Sequence, residues 1–313
     1  MCNPRRLGLV LFCCTALFAS NVMGETPLAP GDYTRTLEHD GRTRSYLVHI
    51  PPKYDIKRPT PVVLAFHGGA INASITVLYC GLNETADKEG FIAVYPNGTG
   101  RFENILTWNG GNCCGYAVSN NVDDVGFTRA LLDDLAKVVN IDAKRVFATG
   151  ISNGEIMCYR LASELSDRIA AIAPVAGTMG TETCKPKRPV SIIHFHGTDD
   201  AFVPFKGGKG ARSITQTDFY SVEHSINAWA KADGCPEKPV VSDMPTKIDD
   251  GTTVQRKTYG PGKDGAEVIL FVINGGGHTW PGREIGQRLL GKSTKNISAN
   301  DLMWEFFKRH PMK

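Results

Sequence analysis

Gly150-Ile151-Ser152-Asn153-Gly154 sets a serine between two glycines, each one residue removed. The apolar run Val146-Phe147-Ala148-Thr149 precedes it, and the helix-like stretch Ile156 to Leu165 follows. A strand–turn–helix elbow of this kind holds a serine on a tight turn, and the glycines let neighbouring backbones approach closely. It also turns the next amide, that of Asn153, towards a developing oxyanion. A serine hydroxyl is a weak nucleophile and needs a base, itself oriented by an acid. In strand–elbow hydrolases the chain order is Ser, then Asp or Glu, then His. Downstream, the strand Val190 to His196 runs into Gly197-Thr198-Asp199-Asp200, and the spacing favours Asp200 as the acid, with Asp199 a turn residue. The strand Val268 to Ile273 then empties into a glycine-rich loop carrying His278, the expected general base.

A second oxyanion donor should come from a loop after an early strand. Phe66-His67-Gly68-Gly69-Ala70 fits, with the amide of Gly69 the first choice, that of Ala70 the second, and His67 structural. Trp280, two residues past the base, and Trp108, in a long loop, are expected walls for an acyl group, although either indole serves equally as packing. His194 and His196 stand two apart on a strand and so share a face. The carboxylates near them are already assigned to the turn and the triad, so no metal site is expected.

The elements that must hold these groups follow from apolar runs. Strands are expected over 46–50, 61–66, 91–95, 146–150, 169–175, 190–196 and 268–273, with helices between them. Phe127, Leu131, Leu132, Leu135, Val138 and Val139 recur at three- and four-residue spacing, one buried helical face. Ser221 to Ala232 and Asn300 to Phe307 behave alike. Short apolar strands alternating with helices imply an α/β fold, a mostly parallel central sheet with helices on both faces. The Gly- and Asn-rich stretch 97–123 is too long for a plain connection and is expected to lie over the strand ends where such sheets bind ligands. No repeat or linker divides residues 25–313, so they should form a single domain.

With 42% hydrophobic and 21% charged residues over 313 positions the composition is globular, and a net charge of +3 spread along the chain gives no nucleic-acid footprint. Arg5 and Arg6 before the apolar stretch Leu7 to Phe18, with small residues Val22 and Gly24 at its exit, predict a signal peptide over 1–24 and secretion. Nothing else approaches the length of a membrane span. An uncleaved anchor and a lipoprotein are the alternatives, the latter disfavoured by Leu11-Phe12 before Cys13. Beyond residue 24 remain Cys80, Cys113, Cys114, Cys158, Cys184 and Cys235, a set that suits disulfides in an exported protein. Cys113 and Cys114 are adjacent, so each is expected to pair with a distant partner. No CxxC element suggests zinc.

His67-Gly68-Gly69, Trp108-Asn109-Gly110-Gly111-Asn112-Cys113-Cys114-Gly115, Val122 to Phe127, the serine pentapeptide, His196-Gly197-Thr198-x-Asp200 and Gly277-His278-Thr279-Trp280-Pro281-Gly282 together resemble the secreted polyhydroxybutyrate depolymerase/feruloyl esterase family of α/β-hydrolases, from about Tyr46 to Pro311. The resemblance implies an α/β-hydrolase fold, no cofactor, and hydrolysis of feruloyl or acetyl plant-wall esters or of polyhydroxyalkanoates. Glu155 departs from it, since the family usually has a second glycine there. The expectation is a serine esterase acting by Ser152-His278-Asp200 acyl transfer. Its partner is an ester polymer or oligomer, with neither nucleic acid nor membrane involved, and oligomeric state is left open. The alternatives are a peptidase on the same fold, disfavoured because no added domain gates peptides, and a non-catalytic polymer-binding protein, disfavoured because every triad position is filled.

Overall fold

The computed structural model describes residues 25–313, so the expected signal peptide lies outside the described residues. Ten strands form one sheet: β1 (Gly31–His39), β2 (Arg42–Ile50), β3 (Thr60–Phe66), β4 (Ile92–Pro96), β5 (Ile141–Ile151), β6 (Ala171–Val175), β7 (Ser191–Gly197), β8 (Val240–Asp243), β9 (Thr253–Tyr259) and β10 (Val268–Asn274). Their order across the sheet is β1-β2-β4-β3-β5-β6-β7-β10-β9-β8. The six strands from β4 to β10 pair in parallel, and the flanking pairs at each edge are antiparallel.

β3 shows why the centre must be parallel and doubly covered. Every one of its residues is buried. Val62, Leu64 and Phe66 enter one apolar cluster, Val63 and Ala65 the opposite one, as strand alternation requires. On the first face lie α3 (Asp124–Leu135), α4 (Asn153–Glu164) and α5 (Val222–Ala232), bringing Leu131, Leu161 and Trp229 to the core. On the second lie α1 (Ala73–Cys80), α2 (Leu82–Glu89) and α6 (Ala299–Arg309), bringing Tyr79, Ala86 and Phe307. Side-chain caps fix where several of these helices start: Asn72 accepts from the Ile75 amide, Asp123 from Gly126, Ser221 from His224 and Ser298 from Asp301.

The seven expected strands are present within a few residues. Three were not foreseen. β1 alternates half-buried and exposed residues throughout, and β8 is exposed along its length. Neither contains the continuous apolar run that marks a strand buried on both faces. β9 is mostly half-buried, for the same reason.

One buried acid makes stability pH-dependent. Asp233 caps α5, with Oδ1 accepting from the Val190 amide at 3.1 Å and Oδ2 buried without a partner among the described residues. Burial pushes its carboxyl up to about 7, against the pull of the Val190 amide, Arg188 and Lys263. A raised acid is still protonated in the native state when the unfolded chain has ionised, so this group lowers stability as pH rises from the ordinary aspartate value, about 3.9, towards 7. Asp233→Asn should therefore raise the melting temperature most above pH 7. The gain should shrink as pH is lowered through that window, which paired thermal melts between pH 4 and 8 will measure.

Candidate active site

Ser152 closes β5 and caps α4 with φ 58° and ψ −123°, a conformation uncommon for any residue but glycine. Its amide donates to Val175 O at 3.0 Å. A Cβ on Gly150 would stand 2.8 Å from Phe66 O, and one on Gly154 would run into the Phe66 and His67 carbonyls. Both flanking glycines are thus demanded by β3, which passes directly behind the turn.

Asp200 follows β7 and is buried. Its Oδ1 accepts from the amides of Phe202 and Val203 at 2.8 and 2.9 Å, and Oδ2 accepts from His278 Nδ1 at 2.7 Å. Burial pushes this carboxyl up, but the His278 ring, His196 and the Val203 amide outweigh it and hold the group below the usual aspartate range. A carboxylate only accepts, so His278 Nδ1 carries a proton, and a ring holding that single proton has its lone pair on Nε2. The loop holding His278 is pinned by its amide to Leu290 O at 2.7 Å. Asp199, by contrast, is exposed, accepting from Thr198 Oγ1.

Ser152, His278, Gly69 and Asn153 all line one cavity of about 730 Å³. Asn153 is the first residue of α4, so its amide has no intrahelical acceptor. Among the described residues no acceptor takes the Gly69 amide either, whereas Ala70 donates to Leu106 O at 2.9 Å and is spent. Of the two amides considered in this loop, Gly69 is the available one. His67 is buried and neutral, its pKa pushed down to about 4 by burial. It ties the loop down through Gly68 O and the Gly98 amide.

The long stretch 97–123 does cover the strand ends. It folds as a hairpin, Thr99–Phe102 with Ile105–Thr107, followed by a helical turn at Gly115–Ser119. Phe102, Ile105, Thr107 and Tyr116 from it line the cavity. Its base is locked by features that composition did not reveal. The Asn153 side chain accepts from the Trp108 amide at 2.7 Å and donates to Trp108 O at 3.0 Å. Buried Asp124 accepts from Arg44 at 2.7 Å and from the Asn109 amide at 2.8 Å, and the Arg44 guanidinium stacks 3.8 Å over Phe127.

Three expectations need correction. Trp108 is fully buried, outside the cavity lining, and its indole N–H donates to His67 O at 3.0 Å. Trp280 is likewise buried and bonded to Asn300 Oδ1 at 2.8 Å. Both tryptophans are struts, Trp108 bracing the loop that carries Gly69 and Trp280 the loop that carries His278, and neither lines the cavity. Cys113 and Cys114 are joined to one another rather than to distant partners, with Cys114 facing the cavity, and Cys80, Cys158, Cys184 and Cys235 have no disulfide partner among the described residues. A third carboxylate also stands beside the paired histidines: ligand atoms of Glu155, His194 and His196 lie within 4.8 Å of one another, all buried.

The cavity itself is apolar. Ile71, Tyr79, Phe202, Val203, Phe219 and Leu290 form its walls, and among the described residues Arg101 is the one permanently charged side chain that lines it. Ile75, Phe102, Ile105, Ile214, Ile285 and Leu289 are exposed and lie around it. Among the described residues no helix is long and apolar enough to cross a membrane.

No family model matches the chain. A protein of Nocardia uniformis subsp. tsuyamanensis named as an esterase, NocK, is 28% identical over 278 residues, covering 85% of this chain and 79% of its own length. Feruloyl esterase B of Piromyces equi is 30% identical over 244 residues, 75% of this chain but 42% of that protein, so the chain spans less than half of it. Among solved structures, acetyl xylan esterase from Aspergillus awamori superposes with a TM-score of 0.54 at 15% identity, covering 88% of this chain and 99% of that one. The structural likeness identifies the fold, that of the α/β-hydrolases.

Proposed function

We propose that this chain, a carboxylic ester hydrolase belonging to the feruloyl esterase/depolymerase family of α/β-hydrolases, is a secreted single-domain enzyme over residues 25–313 that cleaves esters of hydrophobic, above all aromatic, acyl groups. Ser152 is its nucleophile, His278 its base and Asp200 the orienting acid. His278 Nε2 takes the Ser152 proton as Oγ attacks the ester carbonyl. The amides of Gly69 and Asn153 hold the oxyanion. Collapse expels the alcohol, protonated by His278, and leaves an acyl-serine. Water, deprotonated by the same nitrogen, releases the acid and restores Ser152.

The observation that carries this reading is the pairing of Asp200 Oδ2 with His278 Nδ1 at 2.7 Å on the edge of an apolar cavity that Ser152 also lines. A cavity of about 730 Å³ is far roomier than an acetyl group needs, and its walls would bury a phenolic ring. Names of the relatives, feruloyl esterase B among them, point the same way. A second reading, a polyester substrate, draws on the exposed apolar side chains around the cavity, among them Phe102, Ile214 and Leu289, which suit a broad apolar surface better than one aryl group.

A substrate panel tests this. Methyl ferulate should show the highest kcat/KM, hydroxybutyrate oligomers should follow, and acetylated xylan and the matching feruloyl amide should trail well behind. Preference for acetylated xylan would overturn the apolar-acyl assignment. Faster amide than ester cleavage would make the enzyme a peptidase.

A further inference from the structure

Behind the elbow lies a file of polar side chains that the acyl-transfer steps do not use. Tyr159 Oη stands 2.7 Å from His194 Nδ1, His194 Nε2 stands 3.2 Å from His196 Nδ1, and His196 Nε2 stands 2.9 Å from Val203 O. All three side chains are buried, and burial pushes both imidazoles down, so they are neutral. A carbonyl only accepts, which fixes the direction of every bond. His196 donates from Nε2 to Val203, its Nδ1 accepts from His194 Nε2–H, and His194 Nδ1 accepts from the Tyr159 hydroxyl. The last link matters for chemistry, because the Val203 amide is one of the two that grip Asp200 Oδ1. His196 therefore holds the far side of the residue that orients the triad acid, and its Nε2 lies 3.5 Å from Asp200 Oδ2.

Glu155 closes the other end. It sits in the first turn of α4, three residues after Ser152, fully buried, with Oε1 3.3 Å from His194 Nδ1. Among the described residues neither carboxyl oxygen makes a well-formed hydrogen bond, although the Gly177 amide stands near enough to favour the anion. Gly177 makes the room, since a Cβ there would fall 2.9 Å from the carboxyl. The titratable groups around it are Cys158 and Tyr159 on its own helix, His194 and His196 on β7, and Asp200 beyond them. None is a lysine or arginine. A buried carboxylate facing two neutral rings and a second carboxylate has no compensating charge.

We propose that Glu155 is carried as the neutral carboxylic acid and that, with His194 and His196, it forms a positioning device which keeps Asp200 in place and the negative charge of this buried cluster on Asp200. Burial, and secondarily the Asp200 charge, pushes the Glu155 carboxyl well above the ordinary glutamate value despite the Gly177 amide. With Glu155 neutral, nothing draws a proton onto His194 Nδ1, and the file keeps the direction that Val203 O dictates. An ionised Glu155 would pull that proton over, reverse the bonds and leave Val203 O without a donor. The same residues could instead ligate a metal ion, but both His194 nitrogens and both His196 nitrogens already have hydrogen-bond partners.

This inference rests on the triad proposed above, and the test separates the two. His196→Phe removes the donor to Val203, while His196→Gln can still offer an amide N–H there. On purified, folded proteins, His196→Phe should lower kcat about tenfold with KM little changed, a misplacement effect, and His196→Gln should recover most of the loss. In the infrared difference spectrum of wild type against Glu155→Gln at pH 7, the wild type should show a protonated-carboxyl stretch that the variant lacks. Purified wild type should carry no stoichiometric metal. A carboxylate band in place of the acid, a bound metal lost in Glu155→Gln, or wild-type kcat in His196→Phe would each overturn the device. If Asp200→Asn also kept wild-type kcat, the triad itself would fall; if only the His196 variants were silent, the device alone would.

Discussion

Ser152→Ala is expected to give a folded protein whose ester hydrolysis has dropped by about four orders of magnitude or more, because His278 then has no hydroxyl to activate. The fold should survive. Only one half-buried oxygen is lost, the main-chain bond from residue 152 to Val175 O does not involve the side chain, and the flanking glycines that admit Phe66 and His67 are untouched. Alanine keeps the positive φ that the turn imposes, so any strain is common to both proteins. What rate remains should come from the amides of Gly69 and Asn153 and from binding in the apolar cavity. A phosphonylating reagent should label wild type once and spare the variant, and EDTA should affect neither. Turnover near wild type in a purified variant would remove the nucleophile from the mechanism, and loss of wild-type activity in EDTA with recovery on adding zinc would replace it with a metal-bound hydroxide.

How much of this was legible in the sequence varied with the kind of signal. The strands β3, β6, β7, β10 and the buried second half of β5 announced themselves because a strand buried on both faces is mostly apolar. The edge strands β1 and β8 face solvent and carry no such run. α1 was missed for the opposite reason: ASITVLYC is apolar on nearly every side, which hides helical periodicity, and its ends are set by Asn72 and by Gly81 in the left-handed region. Ser152, Asp200 and His278 could be picked out because each sits at the mouth of an apolar strand, where position in the chain nearly fixes position in space. Trp108 and Trp280 could not be judged in that way. An indole lining a cavity and one bracing a loop look alike until the partner of the N–H is known, and here those partners, His67 O and Asn300, lie 41 and 20 residues away. Glu155 stood out only as a departure from the glycine usual in the family that the sequence resembles, and its two histidine neighbours come from β7 rather than from its own helix.

The adjacent acids give the sharpest separation. Asp200→Asn should lower kcat by about four orders of magnitude while leaving the protein folded. The orientation of the new amide is not free. Two backbone donors, the amides of Phe202 and Val203, converge on the Oδ1 position and require an acceptor there. The carboxamide oxygen must take that place, which turns its NH2 towards His278 Nδ1. That nitrogen then has to accept, its proton moves to Nε2, and the atom meant to receive the Ser152 proton already holds one. Asp199→Asn changes nothing comparable. Its side chain is exposed and accepts one bond from Thr198 Oγ1, which an asparagine oxygen can also accept, and its amide still reaches Gly276 O. Its kcat should stay close to wild type. Steady-state kinetics on methyl ferulate with both variants will decide: a large loss in Asp199→Asn with little in Asp200→Asn would move the orienting role to Asp199, and comparable small losses in both would leave His278 without the acid that the mechanism requires.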